Sequence, residues 1–430
     1  MKTAELYPLF CQHPLVSTDS RNIPNNSLFF ALKGQNFDGN KFAAEAITKG
    51  AAYAVIDNPE YAVHEHLILV DDVLLTLQQL ANFHRRELGV PVLAITGTNG
   101  KTTSKELIAS VLLNRFNVCF TQGNLNNHLG VPLTLLSMTR DTQLGVIEMG
   151  ANHPGEIAAL CRIAEPNYGL VTNMGKAHLE GFGSFEGVIK TKTELYDYLR
   201  ETGGKCFINA DNELLLKQAE GLPLLSYGKS RKADLIGESE DSSYYLTARI
   251  LFPKGWLYFR SKLVGGYNFE NIMAAARIGL HFDIDPLLIQ KSVEKYTPTN
   301  NRSQLIQRAS NRLILDAYNA NPTSMLASLQ NFSQINHPEK IVILGDMLEL
   351  GEFAVEEHQK IADFLEKQQL EAVFLVGPCF CAVQSGTKTK KFESIELLSN
   401  YLFQQKQMKN KLILIKGSRG IRLEKVLESF

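Results

Sequence analysis

Short apolar runs alternate with amphipathic stretches along the whole chain, and this alternation falls into three blocks. The first block predicts strands at 27–32, 51–56 and 67–70, with helices at 41–49 and 72–88. Gly89, Val90 and Pro91 then interrupt the pattern, because glycine relaxes the backbone and proline has no amide donor. We therefore expect a domain boundary between residues 89 and 90.

The second block opens with a β-rich run at 92–96 that enters a glycine-rich turn and then a helix over 101–114. Buried strands are predicted at 145–148, 169–172 and 205–209, and helical stretches separate them as a parallel sheet requires. The stretch 222–266 is β-rich and precedes helices near 268–280 and 286–295. A second boundary is expected near Pro298, between residues 297 and 298.

The third block predicts strands at 312–315, 341–344, 372–376 and 412–415, spaced by helices. This pattern is typical of a dinucleotide-binding type of sheet, yet no G-x-G-x-x-G follows its first strand, so bound NAD is not predicted. The fold class predicted from the pattern is α/β in three domains.

Composition narrows the range of partners. The 430 residues are 44% apolar, enough for several cores, and 44 basic against 45 acidic side chains imply no polycationic surface for nucleic acid or anionic lipid. Glu5 and Pro8 stand where a signal peptide needs an apolar core, and no apolar run reaches ~18 residues, so a soluble cytoplasmic protein is expected. The six scattered cysteines are expected to be reduced, with Cys379 and Cys381 alternating on a strand or loop rather than binding a metal.

The strongest chemical motif is G-T-N-G-K-T-T at 97–103. Its glycines let backbone amides face phosphate oxygens, Lys101 neutralises charge, and Thr102 can place a hydroxyl on Mg²⁺. The loop is shorter than G-x-x-x-x-G-K-[ST], because Ile95 stands where that motif has glycine.

Other candidates are weaker from the residues alone. Glu148 ends a strand that is expected beside the phosphate loop, and its carboxylate suits Mg²⁺. His178 lies in a comparable loop at the end of another strand. Lys192 lies in a predicted helix over 186–199 and is interpreted as an ordinary solvated cation. Asn268 and Asn271 could be capping residues at a helix start. The segment 316–322 is either a ligand-facing loop or a good N-cap, and local physics leaves both open.

Taken in order, these segments resemble the Mur ligase family. The resemblance is carried by G-T-N-G-K-T at 97–102, E-M-G-A-N-H-P-G-E at 148–156, D-A-Y-N-A-N-P at 316–322, L-G-D-M-L-E-L-G at 344–351 with His358, T-D-S-R at 18–21 and F-D-G at 37–39. It implies a central parallel-sheet, P-loop ATPase-like domain at 90–297. An N-terminal uridine-nucleotide-binding α/β domain at 1–89 and a C-terminal Rossmann-like domain at 298–430 would flank it.

The resemblance also implies roles for individual residues. The catalytic residues would be Lys101, His178, Lys192 and Arg302. One Mg²⁺ would be held by Thr102 and Glu148, and a second would be held by His178 and a carbamylated Lys192. The nucleotide would contact Gly97, Thr98, Asn99, Gly100, Lys101, Thr102, Thr103, Asn268, Asn271, Arg302, Asp316, Tyr318 and Asn319, and the uridine diphosphate would contact Ser20 and Arg21. Tyr267 in place of a common histidine and Leu315 in place of a common acid depart from the family pattern near adenine. The segment 416–420 resembles the family's region for the incoming dipeptide.

The implied reaction uses ATP to join UDP-N-acetylmuramoyl-tripeptide to D-alanyl-D-alanine through an acyl phosphate, with a monomeric enzyme and no nucleic-acid or membrane partner. The nearest alternative is a sister ligase that adds a single amino acid, or a folylpolyglutamate synthase. A second alternative is a nucleotide-dependent switch or a non-catalytic nucleotide-sugar binder. Intact Lys101, Glu148 and Lys192 argue against a degenerate site.

Overall fold

The computed structural model describes residues 1–240, 244–299, 301–404 and 408–430. Its first block folds around a four-stranded parallel sheet in the order β1-β2-β5-β6. The elements are α1 (Thr3–Gln12), β1 (Leu15–Ser17), β2 (Ser27–Phe30), β3 (Lys33–Gly34), β4 (Phe37–Asp38), α2 (Ala43–Thr48), β5 (Ala51–Ile56), β6 (Leu67–Leu69) and α3 (Val73–Leu88). Gly89 ends α3 with a left-handed φ of 62°, at the predicted interruption.

The second block folds around nine strands in the order β15-β14-β13-β12-β11-β10-β7-β9-β8. The strands from β8 to β13 in that order run parallel, and β14 and β15 add an antiparallel edge. The elements are β7 (Val92–Thr96), α4 (Lys101–Leu112), β8 (Val118–Phe120), α5 (Gly130–Leu136), β9 (Leu144–Glu148), α6 (Glu156–Ala164), β10 (Tyr168–Val171), α7 (Leu179–Phe182), α8 (Phe185–Thr202), β11 (Lys205–Asn209), α9 (Glu213–Gln218), β12 (Leu224–Gly228), β13 (Leu235–Glu240), β14 (Tyr245–Phe252), β15 (Gly255–Val264), α10 (Phe269–His281) and α11 (Pro286–Lys295).

The strand order of this central sheet reverses at β7, which is fully buried and pairs with β9 on one side and β10 on the other. In an open parallel sheet, ligands bind outside the carboxyl ends of the strands at such a reversal. The phosphate loop leaves β7 at that end. The fold therefore places the predicted motif at the sheet's natural crevice.

The third block folds around six strands in the order β16-β17-β21-β18-β19-β20, parallel except for β16. The elements are β16 (Gln304–Arg308), β17 (Asn311–Asp316), α12 (Pro322–Gln334), β18 (Lys340–Gly345), α13 (Ala354–Glu366), β19 (Ala372–Val376), α14 (Pro378–Ala382), β20 (Thr389–Phe392), α15 (Ile395–Gln404) and β21 (Leu412–Lys416). The four predicted strands are confirmed, whereas β16 and β20 escaped prediction. Because β21 lies between β17 and β18, Asp316 on β17 faces Lys416 on β21, which is 100 positions later in the chain.

The expectation that Cys379 and Cys381 lie on a strand or loop is wrong, because both lie in the short helix α14. Ligand atoms of Asp346, His358 and Cys379 lie within 4.8 Å of one another. The Asp346 carboxylate, however, accepts hydrogen bonds from the amides of Cys379 and Phe380, each at 2.9 Å, and His358 Nε2 accepts one from Met347 N at 2.9 Å. These groups therefore hold the loop after β18 against α14.

The three blocks share one continuous apolar core that runs from Leu6 to Leu414. Helix α3 of the first block packs on α5 and α6 of the second. Within the described part of the chain, no helix is both long and apolar enough to cross a bilayer.

Candidate functional site

A cavity of about 670 Å³ lies above the carboxyl end of β7, between the second and third blocks. It brings together most of the residues predicted from the sequence. Its wall includes Thr98, Asn99, Gly100, Lys101, Thr102, Thr103, Glu148, His178, Asn268, Asn271, Arg302, Asp316, Tyr318 and Asn319. Gly97, Lys192, Ser20 and Arg21 are not on this wall.

The phosphate loop depends on two glycines with positive φ, Gly97 at 135° and Gly100 at 80°. A Cβ at Gly97 would lie 2.1 Å from Thr172 Oγ1, so the loop also needs glycine for space. Lys101 opens α4 and folds back, donating to the carbonyls of Gly97 at 2.7 Å and Thr98 at 3.1 Å. Burial lowers the pKa of Lys101, although the charge of Glu148 opposes that shift. The ammonium is thus held beside the amides that would surround a phosphate.

Glu148 ends β9 next to this loop and is 2% exposed. Its Oε1 accepts hydrogen bonds from Thr102 Oγ1 at 3.2 Å and Asn126 Nδ2 at 2.8 Å, while Lys105 Nζ lies 3.9 Å from Oε2. Oε2 is buried and has no hydrogen-bond partner among the described residues. A buried carboxylate oxygen without a donor, beside a hydroxyl oxygen, is the donor set that Mg²⁺ prefers.

His178 and Lys192 flank the ring of Phe182. The His178 ring lies 6.2 Å from that ring, and Lys192 Nζ lies 5.5 Å from its centre. His178 adopts a left-handed φ of 50°, and the Glu349 carboxylate of the third block lies against its Nδ1, a contact that lowers the pKa of Glu349. The two candidates are therefore neighbours, although they lie fourteen positions apart in the chain.

The interpretation of Lys192 as a solvated cation is wrong, because its side chain is buried. Its side chain is 2% exposed. Burial, followed by repulsion from Lys101, lowers the pKa of Lys192 to about 7. The amine is consequently available in its neutral, nucleophilic form near neutral pH.

Two asparagines line the cavity beneath α10. Asn271 Nδ2 donates to Asn268 Oδ1 at 2.8 Å, and Asn268 Nδ2 donates to the carbonyl of Val264 at 2.8 Å. Asn271 Oδ1 accepts from Ser104 Oγ at 2.9 Å, which ties α10 to α4 behind the phosphate loop. The capping interpretation is wrong for Asn268, whose side chain makes no cap hydrogen bond.

The third block supplies charge and an aromatic surface. Lys416 Nζ lies 2.5 Å from Asp316 Oδ2, and its side chain is 2% exposed. The Arg302 guanidinium carbon lies 3.7 Å from the centre of the Tyr318 ring, and Arg419 lies 5.4 Å from the same ring. Arg302 Nε is buried without a hydrogen-bond partner in the described chain, so this guanidinium retains donors for an anion.

Five neighbours of the site were not predicted individually from the sequence, namely Asn126, Lys105, Glu349, Lys416 and Asn321. Asn321 belongs to the singled-out segment 316–322, whose two interpretations both hold: it caps α12 and also lines the cavity. Glu349 and Lys416 lie in the singled-out segments 344–351 and 416–420, where neither was given a role of its own, whereas Asn126 and Lys105 lie outside every motif named from the sequence.

Ser20 and Arg21 lie in the loop after β1, in the first block. The Arg21 side chain is 88% exposed and pairs with Asp19 at 2.8 Å, and this contact lowers the pKa of Asp19 to about 2. Lys49 Nζ donates to the Ser20 carbonyl at 2.9 Å. Their role in holding a uridine nucleotide stays a prediction.

Comparison with known proteins agrees with this architecture. The descriptions "Mur ligase family, catalytic domain", "Mur ligase middle domain" and "Mur ligase, glutamate ligase domain" match residues 14–85, 95–279 and 301–419. The UDP-N-acetylmuramoyl-tripeptide–D-alanyl-D-alanine ligase of Bacillus subtilis is 35% identical, over 96% of this chain and 92% of that protein. Its counterpart in Haemophilus influenzae is 33% identical over 96% and 93%.

Solved structures give the same result. A crystal structure of MurF from Acinetobacter baumannii superposes with a TM-score of 0.88 at 31% identity, covering 96% of this chain and 92% of that one. The MurF ligase of Thermotoga maritima in complex with ADP superposes with a TM-score of 0.86 at 26% identity, covering 97% of both. With its three matched domains and near-full-length relatives, the chain belongs to the Mur ligase family.

Proposed function

We propose that this chain is an ATP-dependent ligase that joins D-alanyl-D-alanine to UDP-N-acetylmuramoyl-tripeptide, the last cytoplasmic peptide-adding step of peptidoglycan precursor synthesis. The observation that carries the proposal is the match to ligases of that name over 96% of the chain. The relative in complex with ADP supports nucleotide binding by this chain.

The reaction requires two successive attacks by nucleophiles. An oxygen of the tripeptide's terminal carboxylate forms a bond to the γ-phosphorus of ATP, the bond to the bridging oxygen breaks, and ADP leaves. The amine of D-alanyl-D-alanine then attacks the acyl phosphate, loses a proton and displaces inorganic phosphate. Lys101 and Arg302 would offset the negative charge that accumulates where carboxylate and phosphates meet.

Thr102 and Glu148 would hold one Mg²⁺, and the unpartnered Glu148 Oε2 supports that assignment. When bound, Mg²⁺ neutralises phosphate charge and polarises the transferring group. His178 and Lys192 would serve a second position, with Lys192 converted to a carbamate whose oxygens are anionic. That modification joins the lysine nitrogen to the carbon of CO₂ and releases one proton.

The burial and lowered pKa of Lys192 support carbamylation, because only a neutral amine attacks CO₂. Carbon NMR of protein equilibrated with isotopically labelled bicarbonate should show one carbamate signal that is absent from Lys192→Gln. A spectrum identical in both proteins would contradict the assignment.

The remaining walls of the cavity suit a nucleoside. Asn268, Asn271, Asp316, Tyr318 and Asn319 would contact the adenosine. In the first block, Ser20 and Arg21 would contact the uridine diphosphate.

We also propose domain boundaries at 89/90 and 297/298, with the third domain receiving the dipeptide. The enzyme would act as a monomer in the cytoplasm without nucleic acid or a membrane as partner.

The test is phosphate release from ATP and Mg²⁺ with UDP-N-acetylmuramoyl-tripeptide, with and without D-alanyl-D-alanine, while the product is followed by mass. Release that depends on the dipeptide and matches pentapeptide formation would support the proposal. Turnover with a single amino acid but not with the dipeptide would instead identify a sister ligase.

A further inference from the structure

Asn321 begins helix α12 of the third domain and caps it. Its Oδ1 accepts a hydrogen bond from Ser324 N at 2.9 Å, and Asn321 N donates to Ser324 Oγ at 3.1 Å. This reciprocal arrangement is a capping box, which satisfies amides that the first helical turn leaves unpaired. Capping alone would be served equally well by serine or aspartate.

The same carboxamide also reaches the phosphate loop of the central domain. Asn321 Nδ2 donates to Asn99 Oδ1 at 2.8 Å, and Asn99 Nδ2 donates to Asn321 Oδ1 at 3.4 Å. Asn321 is 8% exposed, so little water competes for this pair. The pair joins two residues 222 positions apart.

The main chain of Asn99 is held by its own domain. Asn99 N donates to Asn173 Oδ1 at 2.9 Å, and the Asn99 carbonyl accepts from Thr172 Oγ1 at 2.6 Å. Among the described residues, the third-domain contact of Asn99 is made by its side chain. One residue of the phosphate loop thus has its backbone fixed by one domain and its carboxamide fixed by another.

The residue type fits this double contact. Aspartate at position 321 would cap α12 but has no N–H to donate to Asn99 Oδ1, and serine would cap but is shorter than the carboxamide. Asparagine both accepts at the helix end and donates across the domain junction.

The pair forms where the third domain sits against the loop at 173–176. Lys176 N donates to Thr323 Oγ1 at 2.9 Å, and Lys176 Nζ contacts Glu357 Oε1 at 2.8 Å. We propose that Asn321 is a positioning residue that couples the seating of the third domain to the side chain of Asn99 in the phosphate loop. The turnover measurement that tests this coupling rests on the proposed ligase function.

The decisive variant is Asn321→Ser, which keeps a capping hydroxyl and removes the carboxamide. We expect kcat to fall about three- to tenfold, the range for one net hydrogen bond. The Kd for ADP should stay within about twofold, because the main-chain contacts of Asn99 remain. The matched control is Asn212→Ser at the N-cap of α9, where Asn212 Oδ1 accepts from Leu215 N at 3.1 Å, and all values should stay unchanged.

A double-mutant cycle with Asn99→Ala separates coupling from a general structural loss. Asn321→Ser should have no further effect on kcat in the Asn99→Ala protein. An equal fold-loss in both backgrounds, an unchanged kcat, or parallel losses of Tm and ADP affinity would overturn the proposal.

Hydrogen exchange gives a readout that does not depend on turnover. The amides at 98–100 should exchange faster in Asn321→Ser than in wild type or Asn212→Ser, and unchanged exchange would overturn the coupling. If wild-type protein releases no phosphate, the proposed function fails, and the exchange experiment still decides the coupling.

Discussion

Replacing Lys416 by methionine tests how the third domain holds the Asp316 loop at the cavity. Asp316 and Lys416 face each other in register on β17 and β21, and Lys416 Nζ also lies 3.5 Å from the Asn319 carbonyl. Methionine preserves most of the stem but removes the cation. Asp316, 15% exposed, would keep a hydrogen bond from Ser303 N at 3.3 Å and no ion pair.

The cost follows from this burial. Removing one partner of a fully buried pair costs ~3–5 kcal/mol, because the other charge is left uncompensated. Asp316 keeps some contact with water, so we expect about 2–3 kcal/mol, somewhat less than for a fully buried pair. This corresponds to about a 30- to 150-fold change in an opening equilibrium.

Hydrogen exchange of the β17 and β21 amides is the suitable assay, because a three-domain chain does not unfold as a single two-state unit. Exchange in Lys416→Met should accelerate about 30- to 150-fold, and ADP should bind more weakly. Adding Asp316→Leu should recover much of the stability, because an apolar pair avoids the unpaired charge.

The matched control is Lys411→Met just before the same strand, where Lys411 pairs with the more exposed Glu371 at 2.7 Å and Glu339 at 3.3 Å. Each of these pairs should contribute less than about 1 kcal/mol. If Lys416→Met accelerates exchange no more than Lys411→Met, the reasoning about the buried pair is refuted.

Three further changes test the site. Gly97→Ala should destabilise the protein by about 2–4 kcal/mol and abolish ADP binding, because Gly97 has a positive φ and a Cβ there would overlap Thr172. The control is Gly203→Ala, where φ is 72° but the space around the Cβ is open, so that this variant measures the backbone strain alone. Equal losses of stability for the two variants in calorimetry would contradict the overlap. Glu148→Gln should remove the Mg²⁺ dependence of ADP affinity in titration calorimetry while keeping metal-free binding, and a retained dependence would exclude Glu148 as the ligand. Burial, then repulsion from the Asp211 carboxylate, raises the pKa of Glu270 to about 7. The stability that depends on protonated Glu270 is therefore fully present below the unfolded pKa of ~4.3, and it is lost as pH rises through about 7. Glu270→Gln should therefore raise Tm at about pH 8 but not at about pH 4, and a pH-independent Tm difference would argue against that shift.

The sequence by itself determined most of the central strands of the fold and the phosphate loop. The strands predicted at 92–96, 205–209 and 372–376 match the structure residue for residue, because burial of a short β-rich run is a local property. The loop was equally readable, since glycine at 97 and 100 meets a backbone requirement that adjacent residues express.

Only the tertiary structure decided what surrounds those groups. Strand order brings Lys416 to Asp316 and domain packing brings Asn321 to Asn99, and neither arrangement leaves a periodic signal in the chain. The same holds for Lys192, which has the composition of a solvated cation but sits enclosed beside Phe182. Its lowered pKa arises from lost hydration and from the charge of Lys101, quantities that exist only once distant segments have packed together.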